Sequence, residues 1–255
     1  MMKHLICLSV LLLIYLHCRA QEEQGATPRW LVNFRLGYSV GGTAPIGMPA
    51  TIRSLDSYRL QPNFGIGVDL ERRQRGCWGI MGGLHLLSKG MDVNATVKNY
   101  QMVMTKGGDE IEGAYTGRLV TQVEQLMFQL PVQAVYHTSD KFSLRAGTYL
   151  SWLPHRSFKG YAYDGYLRYI NPTGERIELG NSAETRGTYD FSEHMRQLQW
   201  GVMAGADWKF GTHWGAYADV QWGLTGVHKS SFTTIRQTLY PIYGTIGFFF
   251  SITNK

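Results

Sequence analysis

The chain has 255 residues, with 25 lysine and arginine side chains against 19 aspartate and glutamate, a formal charge of +6. No basic run and no nucleic-acid-binding motif accompanies this excess, so we expect no nucleic-acid partner; for a membrane protein, anionic membrane lipid or lipopolysaccharide would fit the charge as well. Thirty glycines and 13% aromatic residues are typical of a closed β-sheet with tight turns.

The first twenty residues have the pattern of a secretory signal peptide. Lys3 precedes an apolar run from Leu5 to Leu16, and Ala20 ends a small-x-small exit. The run is too short to span a bilayer as a helix, which needs about 20 apolar residues. We therefore predict a signal peptide over residues 1–20, followed by the mature chain.

The predicted mature chain keeps a single cysteine, Cys77. One cysteine cannot form an internal disulfide, and it supplies no cysteine pair for a zinc site. The histidines show neither i, i+4 pairing nor an HExxH motif. We therefore expect no metal and no other cofactor.

Period-two alternation dominates the mature chain. Between Gln197 and Phe210, apolar residues occupy one face and polar or small residues the other. A helix cannot separate residues in this way, because its apolar positions recur every three and four residues. The same pattern recurs along the chain and predicts eight strands, at residues 30–40, 64–70, 78–86, 126–136, 142–152, 197–210, 216–224 and 240–252.

The connections between these segments alternate in length. Three are short, at residues 73–76, 138–141 and 211–213, and four are long, at residues 41–62, 89–124, 155–196 and 227–238. Such alternation is typical of bacterial outer-membrane barrels. The sequence thus predicts an all-β fold, an eight-stranded antiparallel transmembrane β-barrel with long extracellular hairpins and short periplasmic turns. It would occupy residues 30–255, after a periplasmic tail over residues 21–29.

Seven charged residues lie on the non-apolar face of the predicted strands. A basic side chain facing lipid at the midplane costs roughly 2–4 kcal/mol, so these side chains are expected to point into the lumen. The interior of an eight-stranded barrel is just wide enough for side chains to fill, which predicts a lumen that does not conduct. The predicted polar network of the lumen comprises Arg35, Asp69, Glu71, Arg145, Asp207, Lys209 and Asp219.

Several segments resemble a known family. The stretch QLMFQLPV (125–132), with RAGTY (145–149), is similar to the outer membrane protein beta-barrel domain family, also called PorT-like. So are DFSEHMRQLQWGVMAGADWKF (190–210) and YADVQWGLTGV (217–227). The resemblance covers most of the mature chain and implies an outer-membrane barrel; some members of the family are linked to assembly of a secretion machine. The chain departs from the usual pattern by continuing past Phe250 to Lys255.

One motif points to catalysis. Gly37-Tyr38-Ser39-Val40-Gly41 matches the G-x-S-x-G nucleophile elbow of hydrolases, but that motif needs a strand, a tight turn and a helix. No helical pattern follows, so we expect no enzyme. The alternative is a lipid-modifying enzyme, of the lipid A deacylase or acyltransferase type, with Ser39, His155 and an acid at the outer rim.

The long connections are the better candidates for function. Residues 160–170 lead into Asn171-Pro172-Thr173-Gly174, a turn sequence, and residues 175–179 return, which predicts a hairpin beyond the membrane. Residues 89–124, hinged at 106–109, predict another. Tyrosine offers a large contact area at low entropic cost, although it also anchors barrels at the headgroup level. The predicted binding residues are Tyr161, Tyr163, Tyr166 and Tyr169.

Three functions remain open at the level of the sequence. The leading one is a non-conducting structural or binding barrel of the outer membrane, whose hairpins contact a surface protein, a glycan or a neighbouring subunit. The second is the lipid-modifying enzyme. The third is a soluble ligand-binding barrel of lipocalin type, which would carry its charges outside and its aromatic residues inside.

Overall fold

A computed structural model describes residues 29–45, 47, 49–74, 76–169, 174–232, 234 and 238–253. The predicted signal peptide lies outside these residues, as does most of the predicted tail. The described chain contains strands and one short 3-10 helix, Ser192–His194. The strands are β1 (Arg29–Pro45), β2 (Ile52–Leu60), β3 (Phe64–Arg73), β4 (Trp78–Lys106), β5 (Asp109–His137), β6 (Phe142–Tyr169), β7 (Arg176–Leu179), β8 (Gly187–Asp190), β9 (Leu198–Lys209), β10 (Trp214–Gly223) and β11 (Leu239–Thr253).

Eight of these strands close a barrel. β1 pairs with β3 on one side and β11 on the other, and the ring continues through β4, β5, β6, β9 and β10. Every one of these pairings is antiparallel. The predicted eight-stranded antiparallel barrel is confirmed, and its three short connections lie where the sequence placed them.

Large apolar side chains cover the outside of the barrel. Leu130 on β5 and Val220 on β10, for example, are 51% and 60% exposed. A belt of this size would be unfavourable in water and is expected against lipid. Because the apolar side chains face outward and the charges inward, the hypothesis of a lipocalin-type barrel is wrong. Tryptophans lie near both ends of the belt: Trp30, Trp78, Trp208 and Trp214 at one end, and Trp152, Trp200 and Trp222 at the other.

β4, β5 and β6 are far longer than the membrane-spanning segments predicted for them. β4 and β5 form one continuous hairpin that turns at Gly107 and Gly108, which confirms the hairpin predicted over residues 89–124. Beyond the membrane, β6 pairs first with β8, at residues 159–162, and farther out with β7, at residues 165–168. The predicted return strand at 175–179 is therefore present, whereas the turn residues 171–173 lie outside the described residues.

The two faces of these long strands exchange polarity at the outer boundary of the belt. Along β5, the outward positions change from Leu126 to Glu124 and Gln122, while the inward positions change from Gln129 to Val123. Below the boundary the wall is apolar outside and polar inside. Above it the arrangement is that of a water-soluble protein, with an apolar interior.

The outer part of the molecule therefore has a hydrophobic core of its own. β4, β5, β6, β7 and β8 surround this core, together with the segment around the 3-10 helix. The buried residues of this outer core are Met91, Val97, Met102, Met104, Tyr115, Leu119, Val123, Phe158, Ala162, Leu167, Leu179, Tyr189, Phe191, Met195 and Val227.

The segment predicted as a loop at residues 41–62 contains a strand instead. β2 pairs with β4 at residues 91–97, with two register shifts. Its residues 53–59 are all exposed, so β2 adds an edge to the outer sheet without burying a face. None of the helices in the described part of the chain is long and apolar enough to cross a membrane.

Candidate functional site: the lumen network and the outer hairpin face

Arg35 on β1 is the centre of the lumen network. Its Nη1 and Nη2 atoms donate hydrogen bonds of 2.9 and 2.8 Å to the carboxylate of Asp207 on β9. Its Nε atom donates to Asp69 on β3. The guanidinium also lies 4.8 Å from the centre of the Tyr217 ring. One side chain thus links strands from different parts of the wall.

Arg145 on β6 extends the network. Its Nη2 atom lies 2.7 Å from Asp219 and 2.8 Å from Asp207, and its Nη1 atom donates to Gln133 at 2.9 Å. Asp207 therefore bridges two arginines. Buried charges are tolerated when they are paired and hydrogen-bonded in this way.

Two histidines complete the set of carboxylate partners. His85 Nε2 lies 2.8 Å from Asp69 Oδ1, and His137 Nε2 lies 2.8 Å from Glu71 Oε1. Six of the seven charged residues that the sequence assigned to the lumen are thus buried inside the barrel. The seventh, Lys209, is the last residue of β9 and is only half-buried, next to the turn.

The sequence reasoning missed a further lumen cation, Lys89. Its Nζ atom donates to Gln221 Oε1 at 2.6 Å and lies 4.6 Å from the centre of the Tyr243 ring. Lys89 was assigned to an outer hairpin because the apolar outward positions end just before it. The inward alternation of His85 and Leu87 continues to Lys89 and could have revealed it.

The outer face of β6, β7 and β8 carries stacked tyrosine and arginine side chains. The Arg186 guanidinium lies 4.5 Å from the centre of the Tyr161 ring. Arg176 lies 4.1 Å and Arg168 5.7 Å from the centre of the Tyr166 ring. Stacking holds a guanidinium over an aromatic ring and can leave N–H groups at its edge free to donate to acceptors.

The four predicted binding tyrosines are not equivalent. Tyr161 and Tyr166 are half-buried under arginines, and Tyr169 near the tip is 43% exposed. Tyr163 is only 8% exposed, and its hydroxyl accepts a 2.8 Å hydrogen bond from Asn94 on β4. Tyr163 therefore offers little accessible surface to a partner, because its side chain reaches across β5 to Asn94 on β4.

The structure separates the residues proposed for the catalytic alternative. Ser39 is buried in the lumen, where its hydroxyl lies 2.7 Å from that of Thr245. His155 lies on the outer surface of β6. The two are on opposite sides of the barrel wall, so the trio built on them does not form. β1 also continues to Pro45, with no turn and helix after the G-x-S-x-G motif.

Tyrosines buried in the outer core are held neutral. Burial raises the pKa of Tyr100 to about 12, and it raises that of Tyr189 as well. The Tyr189 hydroxyl donates to the Val120 carbonyl at 2.8 Å. The Tyr189 hydroxyl therefore acts as a structural hydrogen-bond donor. Within the described ranges, no group of three or more histidine, cysteine or acidic side chains could hold a metal ion.

Comparison with known proteins agrees with this architecture. Residues 19–229 match the family model described as "Outer membrane protein beta-barrel domain". The chain belongs to this family. The protein is therefore an outer-membrane barrel, as predicted from the sequence, while the narrower PorT-like assignment and the signal peptide stay predictions. No curated protein matches the chain.

Solved structures of other outer-membrane barrels are similar in architecture. Ail, the attachment invasion locus protein of Yersinia pestis in complex with the heparin analogue sucrose octasulfate, is 9% identical, with a TM-score of 0.39, over 89% of this chain and 100% of that one. OprG from Pseudomonas aeruginosa is 14% identical, with a TM-score of 0.36, over 90% of this chain and 98% of that one.

Proposed function

We propose that the protein is a non-conducting binding barrel of the outer membrane, whose outer face on β6, β7 and β8 binds a partner with carboxylate, sulfate or phosphate groups. An acidic glycan at the cell surface is the ligand class that we infer. The observation that carries the proposal is the pair of arginine–tyrosine stacks on Tyr161 and Tyr166.

The charges of this face favour an anionic ligand. The outward-facing basic residues of β6 and β7 are Lys159, Arg168 and Arg176, and Arg186 lies directly before β8. Lys159 and Arg176 each have a carboxylate within 4.0 Å, on Asp190 and Glu178. Among the described residues, Arg168 and Arg186 have none. These two arginines are therefore the cations of the face that remain available to an anionic ligand.

The geometry of these arginines suits bidentate recognition. A guanidinium presents its donors in a rigid fork that matches carboxylate, sulfate and phosphate groups. Ordering a free arginine side chain on binding costs conformational entropy. Arg186 is already held against Tyr161, and Arg168 donates to the Gly174 carbonyl at 3.3 Å, so less of that entropy remains to be lost.

The lumen supports the non-conducting part of the proposal. Arg35, Asp207, Arg145 and Asp219 cross the barrel interior as one bonded cluster. Above it, Leu87, Met127 and Leu153 form an apolar layer, and the outer core follows. Ions would have to break buried ion pairs and enter apolar surroundings to pass.

Binding of heparin, used as a probe polyanion, to the protein in nanodiscs tests the proposed surface. The double variant Arg168→Gln/Arg186→Gln should bind heparin at least roughly tenfold more weakly, since each charge-assisted hydrogen bond contributes about 1.5–3 kcal/mol. The matched control Arg53→Gln/Arg59→Gln removes two exposed arginines from β2, away from this face, and should bind nearly as the parent does. Equal losses in both variants would mean that net charge alone attracts the probe, and would reject the site.

A further inference from the structure

A polar pocket of about 250 Å³ opens on the outer wall of the barrel, at the outer boundary of the lipid belt. Its outward-facing side chains come from β4, β5 and β6 and include Ser88, Glu124, Leu126 and His155. Gln61 and Pro62 form one edge. The pocket lies where the outward face changes from apolar to polar, which is the depth of lipid head groups.

Three local features shape this pocket. A Cβ atom at Gly90 would lie 2.9 Å from the Val123 carbonyl oxygen and 3.2 Å from Gln61 Cγ, so glycine lets Gln61 lie close over β4. Gln61 is held there, because its Nε2 atom donates to Asp92 Oδ2 at 2.7 Å. Asn63 fixes the same segment through hydrogen bonds of 2.6 and 3.0 Å with the backbone of Gly90.

A β-bulge supplies the opposite side of the pocket. Leu126 pairs with His155 and Phe128 with Trp152, so β6 has one more residue than β5 between these pairs. Bulges re-aim side chains in this way, and this one turns His155 outward next to Leu126. Directly beneath, the Phe128 and Trp152 rings stack with their centres 5.8 Å apart.

The polar groups of the pocket determine the head group that it would take. Glu124 is the charged carboxylate on the outward face, and Ser88 and Gln61 offer further acceptor oxygens. Lys89 also borders the pocket, but its ammonium group points into the lumen toward Gln221. A phosphate alone could accept a hydrogen bond from His155 but would lie against the Glu124 carboxylate, whereas an ammonium group would find the acceptor oxygens of Glu124, Ser88 and Gln61.

We propose that this pocket binds a membrane lipid with a primary ammonium head group, its acyl chain lying along Leu126 and the Phe128–Trp152 stack. The ammonium group would donate to Glu124 and to neighbouring oxygens, as charge-assisted hydrogen bonds do. The site is separate from the arginine–tyrosine face, so either proposal can fail without the other.

Native mass spectrometry of the detergent-solubilised protein tests the proposal. The protein would be exposed to equal amounts of phosphatidylethanolamine, phosphatidylcholine and phosphatidylglycerol with identical acyl chains. Phosphatidylethanolamine should be retained preferentially, because the choline group has no N–H donor and phosphatidylglycerol has no ammonium. Glu124→Gln should lower that preference roughly tenfold, equivalent to about 1.4 kcal/mol.

The control is Glu112→Gln, which neutralises an exposed carboxylate farther along β5 and should leave the preference unchanged. Both variants should keep the heat-modifiable gel mobility of the folded barrel, which separates loss of binding from loss of folding. Equal retention of the three lipids, preference for phosphatidylglycerol, or an unaltered preference in Glu124→Gln would each overturn the proposal.

Discussion

Arg35 and Asp207 face each other inside the barrel and share two hydrogen bonds, of 2.9 and 2.8 Å. They belong to β1 and β9, which are separated in the wall by β11 and β10. Contacts between neighbouring strands already follow from the hydrogen-bond ladder. The Arg35–Asp207 pair instead joins β1 and β9, which share no backbone hydrogen bonds. Both side chains are charged and therefore cannot face lipid.

Replacing Arg35 with methionine should destabilise the barrel strongly. The change leaves Asp69 and Asp207 without their main cation, and breaking a buried pair costs about 3–5 kcal/mol. Urea titration of the protein in lipid vesicles measures the free energy of unfolding. The double variant Arg35→Met/Asp207→Asn should recover part of the loss, and an unchanged midpoint in Arg35→Met would show that the pair adds no stability.

The exchange of polarity along β5 can be tested with two arginine substitutions on the same outward face. Leu130→Arg places a charge in the lipid belt and should reduce stability by roughly 2–4 kcal/mol if it lies near the midplane. Gln122→Arg, above the boundary, should have little effect. Refolding titrations into vesicles compare the two, and the reverse order would mean that the boundary is misplaced.

We expect that a mutation can destabilise the outer core without unfolding the membrane barrel. Leu167 on β6 is fully buried in that core, and Leu167→Ala should cost about 2–5 kcal/mol locally. We expect faster protease cleavage between residues 88 and 125, with the heat-modifiable gel mobility of the barrel retained. A variant that fails to insert would show that the outer core is required for barrel assembly.

Acidification should loosen the loop that contains His228. The ring packs edge-on against Phe158 at 4.8 Å, and burial, with a smaller contribution from His194, lowers the pKa of His228 from 6.5 to about 4. Above pH 6.5 both the folded and the unfolded loop leave the ring neutral. Between pH 6.5 and 4 the unfolded loop takes up a proton that the folded loop does not, so stability falls as the pH falls; below pH 4 the loss levels off.

Hydrogen exchange of residues 224–232, corrected for the intrinsic effect of pH, measures this change. Protection should be lower at pH 4.5 than at pH 7.5 in the parent protein. His228→Leu removes the titrating group and should make protection nearly independent of pH. Equal pH dependence in both proteins would assign the effect to another group.

The barrel could be predicted from the sequence because lipid and lumen impose opposite demands on alternate residues. The segment from Gln197 to Phe210 shows this alternation without interruption, and it forms β9 between Leu198 and Lys209. β2 could not be predicted in this way, because its residues 53–59 are exposed on both faces and it is held by backbone pairing to β4.

The candidate sites were predictable to a smaller extent. Charges such as Arg35 and Asp207 could be assigned to the lumen, because a charged side chain in a membrane strand is tolerated there and not against lipid. Lys89 could not be assigned in this way, since it lies beyond the apolar belt and pairs across the barrel with Gln221. The low exposure of Tyr163 could not be predicted either, because its hydroxyl contacts Asn94, which lies 69 residues away in the chain.

β4, β5 and β6 each contribute to two hydrophobic surfaces that need different solvents. Lipid covers the apolar outer surface of the barrel. The residues of the outer core are buried against one another on the far side of the membrane, where they are shielded from water. The two surfaces alternate along the same strands, so the register of β4, β5 and β6 fixes both of them at once. A slip of one residue would turn each strand over, and it would place polar residues against lipid and the apolar residues of the outer core in water.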